Sequence, residues 1–310
     1  STVFEKTTRP LIDSALAGYA TTVFAYGATG SGKTHTMLGN EATGPGVMVL
    51  AIEGLFEAMH RAEDESKFEL RLSYLEVYNE AIRDLLAPAD AEPPTGHGLS
   101  LRQEAGGKIQ VVGLTEHSPS DTREVLQMLE AGNERRAVSE TAANAASSRS
   151  HAVLQLELRR SARAAGVTEE QQLGKLTLVD LAGSERGSVS RNRGATLHEG
   201  TNINRSLLAL GNCINALSSG RSMHHVPYRD SKLTRLLKTS LEGDTKTVMI
   251  ATVSPAPCCL EDTHNTLKYA RRAKEIKVAA EARVVSVEHH VSKYLALISE
   301  LQAEVSVWKA

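Results

Sequence analysis

The chain has 310 residues, of which 41% are hydrophobic and 23% charged, and a formal net charge of −2. That length and apolar content can fill one large core or two small ones. The near-neutral balance neither demands nor excludes a polyanionic partner, so any such surface must be a local patch.

In chain order, apolar residues at helical spacing predict a helix from Val3 to Ala17, and a β-branched and aromatic strand follows from Thr21 to Tyr26. Gly27 to Thr34 reads G-A-T-G-S-G-K-T, and Lys33 opens a helix. Val47 to His60 is amphipathic and helical. Phe68 to Tyr78 is a strand. Pro88 to Gly98 is a Pro-, Ala- and acid-rich surface loop. Leu99 to Thr115 gives short strands broken at glycines. Asp121 and Glu124 have capping-box spacing for a helix to about Ala137. His151 to Arg160 alternates apolar and polar, as a strand with one wet face does. Leu173 to Leu181 is a strand ending near Asp180. A long loop, Ser188 to Gly200, precedes a helix from Asn202 to Leu217, whose Ile203, Leu207, Leu208 and Leu210 read as core. Ser231 to Leu241 is a basic helix, Thr247 to Val253 a buried-type strand and Asp262 to Lys277 a helix. Strands alternating with helices predict an α/β fold, a mostly parallel twisted sheet with helices on both faces. Its ligand should lie at the carboxyl ends of the strands.

The Gly27–Thr34 stretch satisfies G-x-x-x-x-G-K-[ST] in the strand–loop–helix context the pattern requires. Gly27, Ala28, Thr29, Gly30, Ser31 and Gly32 can curl backbone N–H groups round a polyphosphate because the glycines carry no Cβ. Lys33 would reach the β- and γ-phosphates, and the Thr34 hydroxyl would bind Mg²⁺. Two further stretches sharpen this. Asn144 to His151, N-A-A-S-S-R-S-H, is a loop suited to ordering by phosphate and Mg²⁺. Asp180 to Arg186, D-L-A-G-S-E-R, places an acid where a strand-end carboxylate grips Mg²⁺ through water, and a glycine, Gly183, whose N–H can approach a γ-phosphate. The guanine-reading N-K-x-D motif is absent, so ATP is expected rather than GTP.

These three stretches together resemble the phosphate loop and two switches of the kinesin motor domain. Leu75 to Asn79 (L-E-V-Y-N), Asn202 to Leu207 (N-I-N-R-S-L), Tyr228 to Leu236 (Y-R-D-S-K-L-T-R-L) and Asn265 to Ala270 (N-T-L-K-Y-A) agree as well. The resemblance spans nearly all of Val3 to Lys277. The wording A-T-G-S-G-K-T-H-T-M-L-G and the stretch from His289 to Tyr294 look most like the eighth class, whose members walk to and shorten microtubule plus ends. It implies a P-loop NTPase-type motor domain over residues 1–278, and a neck linker with a neck helix over 279–310. It further implies that His35 stacks on adenine, Ser148 completes the Mg²⁺ shell and Ser147 places the attacking water. Arg149 and Glu185 would form a salt bridge closing the switches over the γ-phosphate, and Glu185 could relay the water's proton. Hydrolysis would release that latch and shift the Asn202 helix.

Arg221, Arg229, Lys232, Arg235 and Lys238, with Arg186, Arg191 and Arg193, form basic segments which in that family face the microtubule. Nucleic acid is disfavoured by the absence of a reading helix, an RNA-binding motif or a zinc pattern. Cys213, Cys258 and Cys259 have no metal-ligand spacing and suit reduced thiols, hence a cytosolic or nuclear compartment. The family resemblance implies a cytoskeletal location on microtubules, at a spindle or cilium. No apolar run is long enough to span a bilayer, and Ser1 to Pro10 does not read as a signal peptide. From Val291 to Trp308 apolar residues step 3, 4, 3, 4, 3, which fits either a homodimeric coiled coil or one amphipathic helix on its own domain. The chain departs from the family in lacking the two initial strands and their adenine-clasping R-x-R-P. An unpaired sheet edge and weaker nucleotide binding are therefore expected. A non-motile nucleotide-gated microtubule-binding module, or a P-loop enzyme acting on a small molecule, are the competing readings.

Overall fold

The computed structural model describes residues 1–40, 42–88, 98–104, 109–138, 148–163, 168–185, 195–219, 226–288, 299 and 301–302. Two short helices, α1 (Thr2–Thr7) and α2 (Arg9–Leu16), replace the single helix expected over 3–17. The break is at Thr8. Pro10 has no N–H to donate, and its ring would clash with the carbonyl of Lys6 in a continuous helix. Strand β1 (Ala20–Tyr26) is buried at every residue and leads through the phosphate loop into α3 (Lys33–Leu38). A small hairpin, β2 (Gly39–Asn40) and β3 (Gly44–Pro45), precedes α4 (Val47–Arg61).

Strands β4 (Ser66–Tyr78) and β5 (Ala81–Asp84) meet in a two-residue turn. There Asn79 and Glu80 take φ of 50° and 58°, the left-handed pair that a tight hairpin requires. The hairpin β6 (Ser100–Gln103) and β7 (Ile109–Val112) follows, then α5 (Thr122–Val138). At the start of α5 the Glu124 N–H donates to Asp121 Oδ1, while the Glu124 carboxylate accepts from Ser120 N, one residue earlier than a simple capping box predicts.

Long strands β8 (Ser150–Ala162) and β9 (Thr168–Asp180) come next. Helix α6 (Ala195–Ser218) starts earlier than the expected Asn202. The basic segment forms two short helices, α7 (Lys232–Leu236) and α8 (Lys238–Glu242), instead of one. Then come β10 (Lys246–Ala251), α9 (Leu260–Ala273) and β11 (Val284–Glu288).

The central sheet runs β10-β1-β9-β8-β4-β5, with β11 added to the outer half of β9. It is mixed. Parallel pairing joins β1 to both β10 and β9, where the phosphate loop leaves the sheet. The β9-β8, β8-β4 and β4-β5 pairs are antiparallel; short connections make hairpins of β4-β5 and β8-β9, whereas β8 returns to β4 only after the β6-β7 hairpin and α5. Alternation along the strands sends side chains to two cores. Val23, Tyr74, Leu154 and Leu176 pack under α2, α4 and α5. Phe24, Leu75, Val153 and Val179 pack under α6 to α8.

Two burial expectations need correction. Every residue of β10 is half-buried, because β10 has no strand partner on its outer side among the described residues. Leu207 and Leu210 of α6 are core, but Leu208 is 60% exposed, and the Ile203 side chain lies outside the described residues. The segment after α9 is held on the domain. Ala279 N–H donates to Gly243 O, Arg283 N–H to Gly18 O, and β11 pairs antiparallel with Thr168–Gln172.

Candidate nucleotide and switch site

The phosphate loop leaves the carboxyl end of β1 and is pinned to the end of β10. Thr252 N–H donates to Tyr26 O at 2.9 Å, and Ser31 Oγ meets Thr252 Oγ1 at 2.7 Å. Gly30 and Gly32 sit at φ of 77° and 96°, which L-side chains rarely adopt, so the loop's curl depends on glycine there. Lys33 is only 5% exposed and donates from Nζ to Ala28 O at 2.8 Å. Burial lowers its pKa, against the opposing charges of Asp180 and Glu185.

Thr34 Oγ1 donates to Asp180 Oδ2 at 2.9 Å. The same oxygen accepts from Arg136 Nη1 at 3.1 Å, while the buried Oδ1 has no hydrogen-bond partner. Arg136, 4% exposed, also donates to Ser150 Oγ and Ser150 O, and its Nε lies 3.8 Å from the buried Glu76 carboxylate. The donor set of a threonine hydroxyl beside an orphaned buried carboxylate oxygen fits a hard divalent cation. Among the described residues no group of three or more His, Cys, Asp or Glu could cage a metal alone. Such an ion would therefore take most of its ligands from phosphates and water, as Mg²⁺ does.

The two switch stretches meet here. Gly183 N–H donates to Ser148 O at 2.8 Å, and Ser184 N–H donates to Gly27 O at 2.9 Å. A Cβ on Gly183 would collide with Thr29 Oγ1 and the Glu185 carboxylate, so glycine is what lets the Glu185–Thr29 bonds form as they stand. Glu185 does not pair with Arg149. Its carboxylate accepts from Thr29 N at 2.7 Å and from Thr29 Oγ1. The expected latch is replaced because the phosphate loop offers two donors at the place where the carboxylate sits. Ser148 and Arg149 stand immediately before β8, each with bonding partners of its own.

His35 is exposed, with Nε2 2.7 Å from Thr43 Oγ1. Ser147, Arg186, Arg191, Arg193 and Arg221 lie outside the described residues. Of the remaining basic set, Arg229 is exposed and Lys232 and Arg235 are half-buried. Lys238 lies 3.7 Å from the Glu242 carboxylate, which reduces its free charge. Sequence reasoning missed Arg136 and Glu76, and it placed Thr29 in the phosphate loop without its bonds to Glu185. Arg136 is indistinguishable by pattern from its exposed-face neighbour Arg135. The one available signal was Glu76, a charge inside an otherwise apolar strand.

A phosphate-cradling loop, a buried lysine and a threonine–aspartate pair at the carboxyl end of a parallel strand define a P-loop nucleotide-binding protein. The chain belongs to the kinesin motor domain family, whose profile matches residues 1–276. It is 53% identical to Kinesin-like protein 5 of Schizosaccharomyces pombe over 98% of this chain and 34% of that protein. It is 50% identical to mouse KIF18A (99% and 34%) and 50% identical to KIP3 of Saccharomyces cerevisiae (98% and 37%). The chain thus spans about a third of the curated relatives it matches. Among solved structures, KIF14 as a two-heads-bound dimer with AMP-PNP on a microtubule superposes with a TM-score of 0.82 at 41% identity, covering 91% of this chain and 78% of that one. A fast kinesin gives 0.82 at 40% identity, with the same coverage.

Proposed function

We propose that this chain is an ATP-hydrolysing microtubule motor domain whose two switch loops read the γ-phosphate. The observation that carries the reading is the circuit of hydrogen bonds joining the phosphate loop to Glu185 and Ser184, and Gly183 to Ser148. Phosphoryl transfer asks little covalent chemistry of a protein and much positioning. Lys33, close to Asp180 and Glu185, would exchange Ala28 O for phosphate oxygens. Thr34 and Ser148 would hold Mg²⁺ directly and Asp180 through water. The bound ion would neutralise phosphate charge. Gly183 would turn its N–H from Ser148 O to the γ-phosphate. Ser147 would place the attacking water.

Glu185 then has two alternative sets of donors, Thr29 and Arg149. A carboxylate that can bond only one of them is a two-state element, and a γ-phosphate on the phosphate loop biases it towards Arg149. The grip on the filament would lie with Arg186, Arg191, Arg193, Arg221, Arg229, Lys232, Arg235 and Lys238. The reading extends to plus-end-directed, microtubule-shortening behaviour, supported by about 50% identity to KIF18A and KIP3. It extends also to a neck linker from residue 279, a homodimer through residues 291–310, and a cytoplasmic place on spindle or ciliary microtubules.

The test is ATP turnover with and without microtubules. Stimulated turnover supports the motor; turnover indifferent to microtubules refutes it. Glu185→Ala should keep nucleotide binding and lower turnover by at least ~100-fold, the scale of a lost proton-relay group. Unchanged turnover would overturn the role given to Glu185.

A further inference from the structure

His151 is the second residue of β8 and is only 2% exposed. The Ala182 backbone N–H donates to its Nδ1 at 3.0 Å. A backbone amide can only donate, so Nδ1 carries no hydrogen and Nε2–H must. Nε2 lies 2.8 Å from the hydroxyl of Ser206, which is 3% exposed on α6. One rigid ring therefore has one end on the residue before Gly183 and the other on the long helix. Burial, with the charges of Arg136 and Lys33, favours the neutral form that this tautomer needs.

Ala182 is the residue through which the buried end of β9 leads into the switch. Its next neighbours, Gly183, Ser184 and Glu185, bond Ser148, Gly27 and Thr29 in turn. A displacement of that loop must therefore carry the imidazole, or break its bond to Ser206. Leu181, Leu207 and Leu210 pack in one core, so the helix is already held against the strand end, and the ring supplies a directional contact. Apolar packing tolerates sliding. A two-ended hydrogen bond between buried groups does not, because either end left open costs its full desolvation.

We propose that His151 is the positioning residue that transmits the state of the 182–185 loop to α6 through Ser206. This rests on the motor reading above. It makes the Ser206 hydroxyl, which lies on α6 outside the phosphate loop, a coupling group. Ser206→Ala should fold, bind nucleotide and retain turnover without microtubules. It should lose the difference in microtubule affinity between the ADP and AMP-PNP states by ~5-fold or more, the lower range of allosteric coupling. Ser206→Thr keeps the hydroxyl and should restore the difference. His151→Asn retains an acceptor for Ala182 but is too short to reach Ser206, so its coupling defect should not add to that of Ser206→Ala.

The experiment measures microtubule co-sedimentation in both nucleotide states, beside unstimulated turnover, for the wild type and these variants. A wild-type difference that survives in Ser206→Ala overturns the proposal, as does equal loss in Ser206→Ala and Ser206→Thr, which would mean packing alone. A wild type that hydrolyses ATP but grips microtubules equally in both states overturns it too. A wild type without turnover sinks the motor reading beneath it.

Discussion

At the scale of single residues, the site is built from charges that are buried and paired. Arg136 holds two carboxylates, Asp180 at 3.1 Å and Glu76 at 3.8 Å, with all three side chains nearly inaccessible. Removing one partner of such a cluster leaves the others unpaired in a low dielectric. Arg136→Met should destabilise the fold by ~3–5 kcal/mol, read from urea unfolding. A mild effect would mean that water reaches the cluster. His151 gives a pH prediction. Burial first, then Arg136 and Lys33, lower its pKa from 6.5 to about 3. Between those values the unfolded chain holds a proton that the folded one does not, so stability falls as pH drops through that window. The contribution is ~1.4 kcal/mol per pH unit. His151→Asn should flatten the acid limb of the stability curve relative to wild type between pH 6.5 and 4. Parallel curves would place a charged imidazole in the fold.

At the scale of elements, local signals place segments well and their ends less well. The turn between β4 and β5 is a case in which a distant helix gives a role to a side chain that the hairpin's own backbone disfavours. Glu80 has positive φ, yet its carboxylate accepts from Ser231 Oγ at 2.7 Å and Lys232 N at 2.8 Å, capping the start of α7. Glu80→Ala loses the cap and keeps the strained backbone, for a loss of ~1–2 kcal/mol. Glu80→Gly loses the same cap but relieves the strain, so it should be the more stable of the two by thermal unfolding. The reverse order would show that the left-handed backbone at this position carries no strain for a side chain to add to. Helix breaks at Thr8 and Leu237 were not readable as interruptions in the apolar periodicity, which runs through both. The first follows from Pro10. For the second, the structure gives only the local backbone, φ −89° and ψ 8° at Leu237.

At the scale of the whole molecule, one sheet has two jobs at opposite ends of β9. Asp180 closes its carboxyl end at the nucleotide loop, and Thr168–Gln172 at its other end receives β11. The ladder to β11 is remote in register from Asp180. A chain ending at residue 278 should therefore keep nucleotide binding and unstimulated turnover while losing force-coupled movement in a gliding assay. Loss of nucleotide binding would show that β11 supports the site through the sheet. Sedimentation of the chain with and without residues 291–310 decides between dimer and monomer.

What the amino-acid order determined by itself is whatever depends on near neighbours. The Gly27–Thr34 loop between a strand and a helix, the acid at the end of β9, and the glycine at 183 were all legible, because turn chemistry and side-chain periodicity act over a few residues. Residues separated by many positions were assigned partners only by the folded chain. Glu185 bonds Thr29, 156 residues away, instead of Arg149. Arg136 turns inward to Asp180 while Arg135 reaches the carbonyls of Leu85 and Ala87. The apolar run of β10 lies half-open at a sheet edge. Periodicity says which face of an element is apolar. Only packing decides which neighbour covers that face, and whether a buried charge finds a partner there.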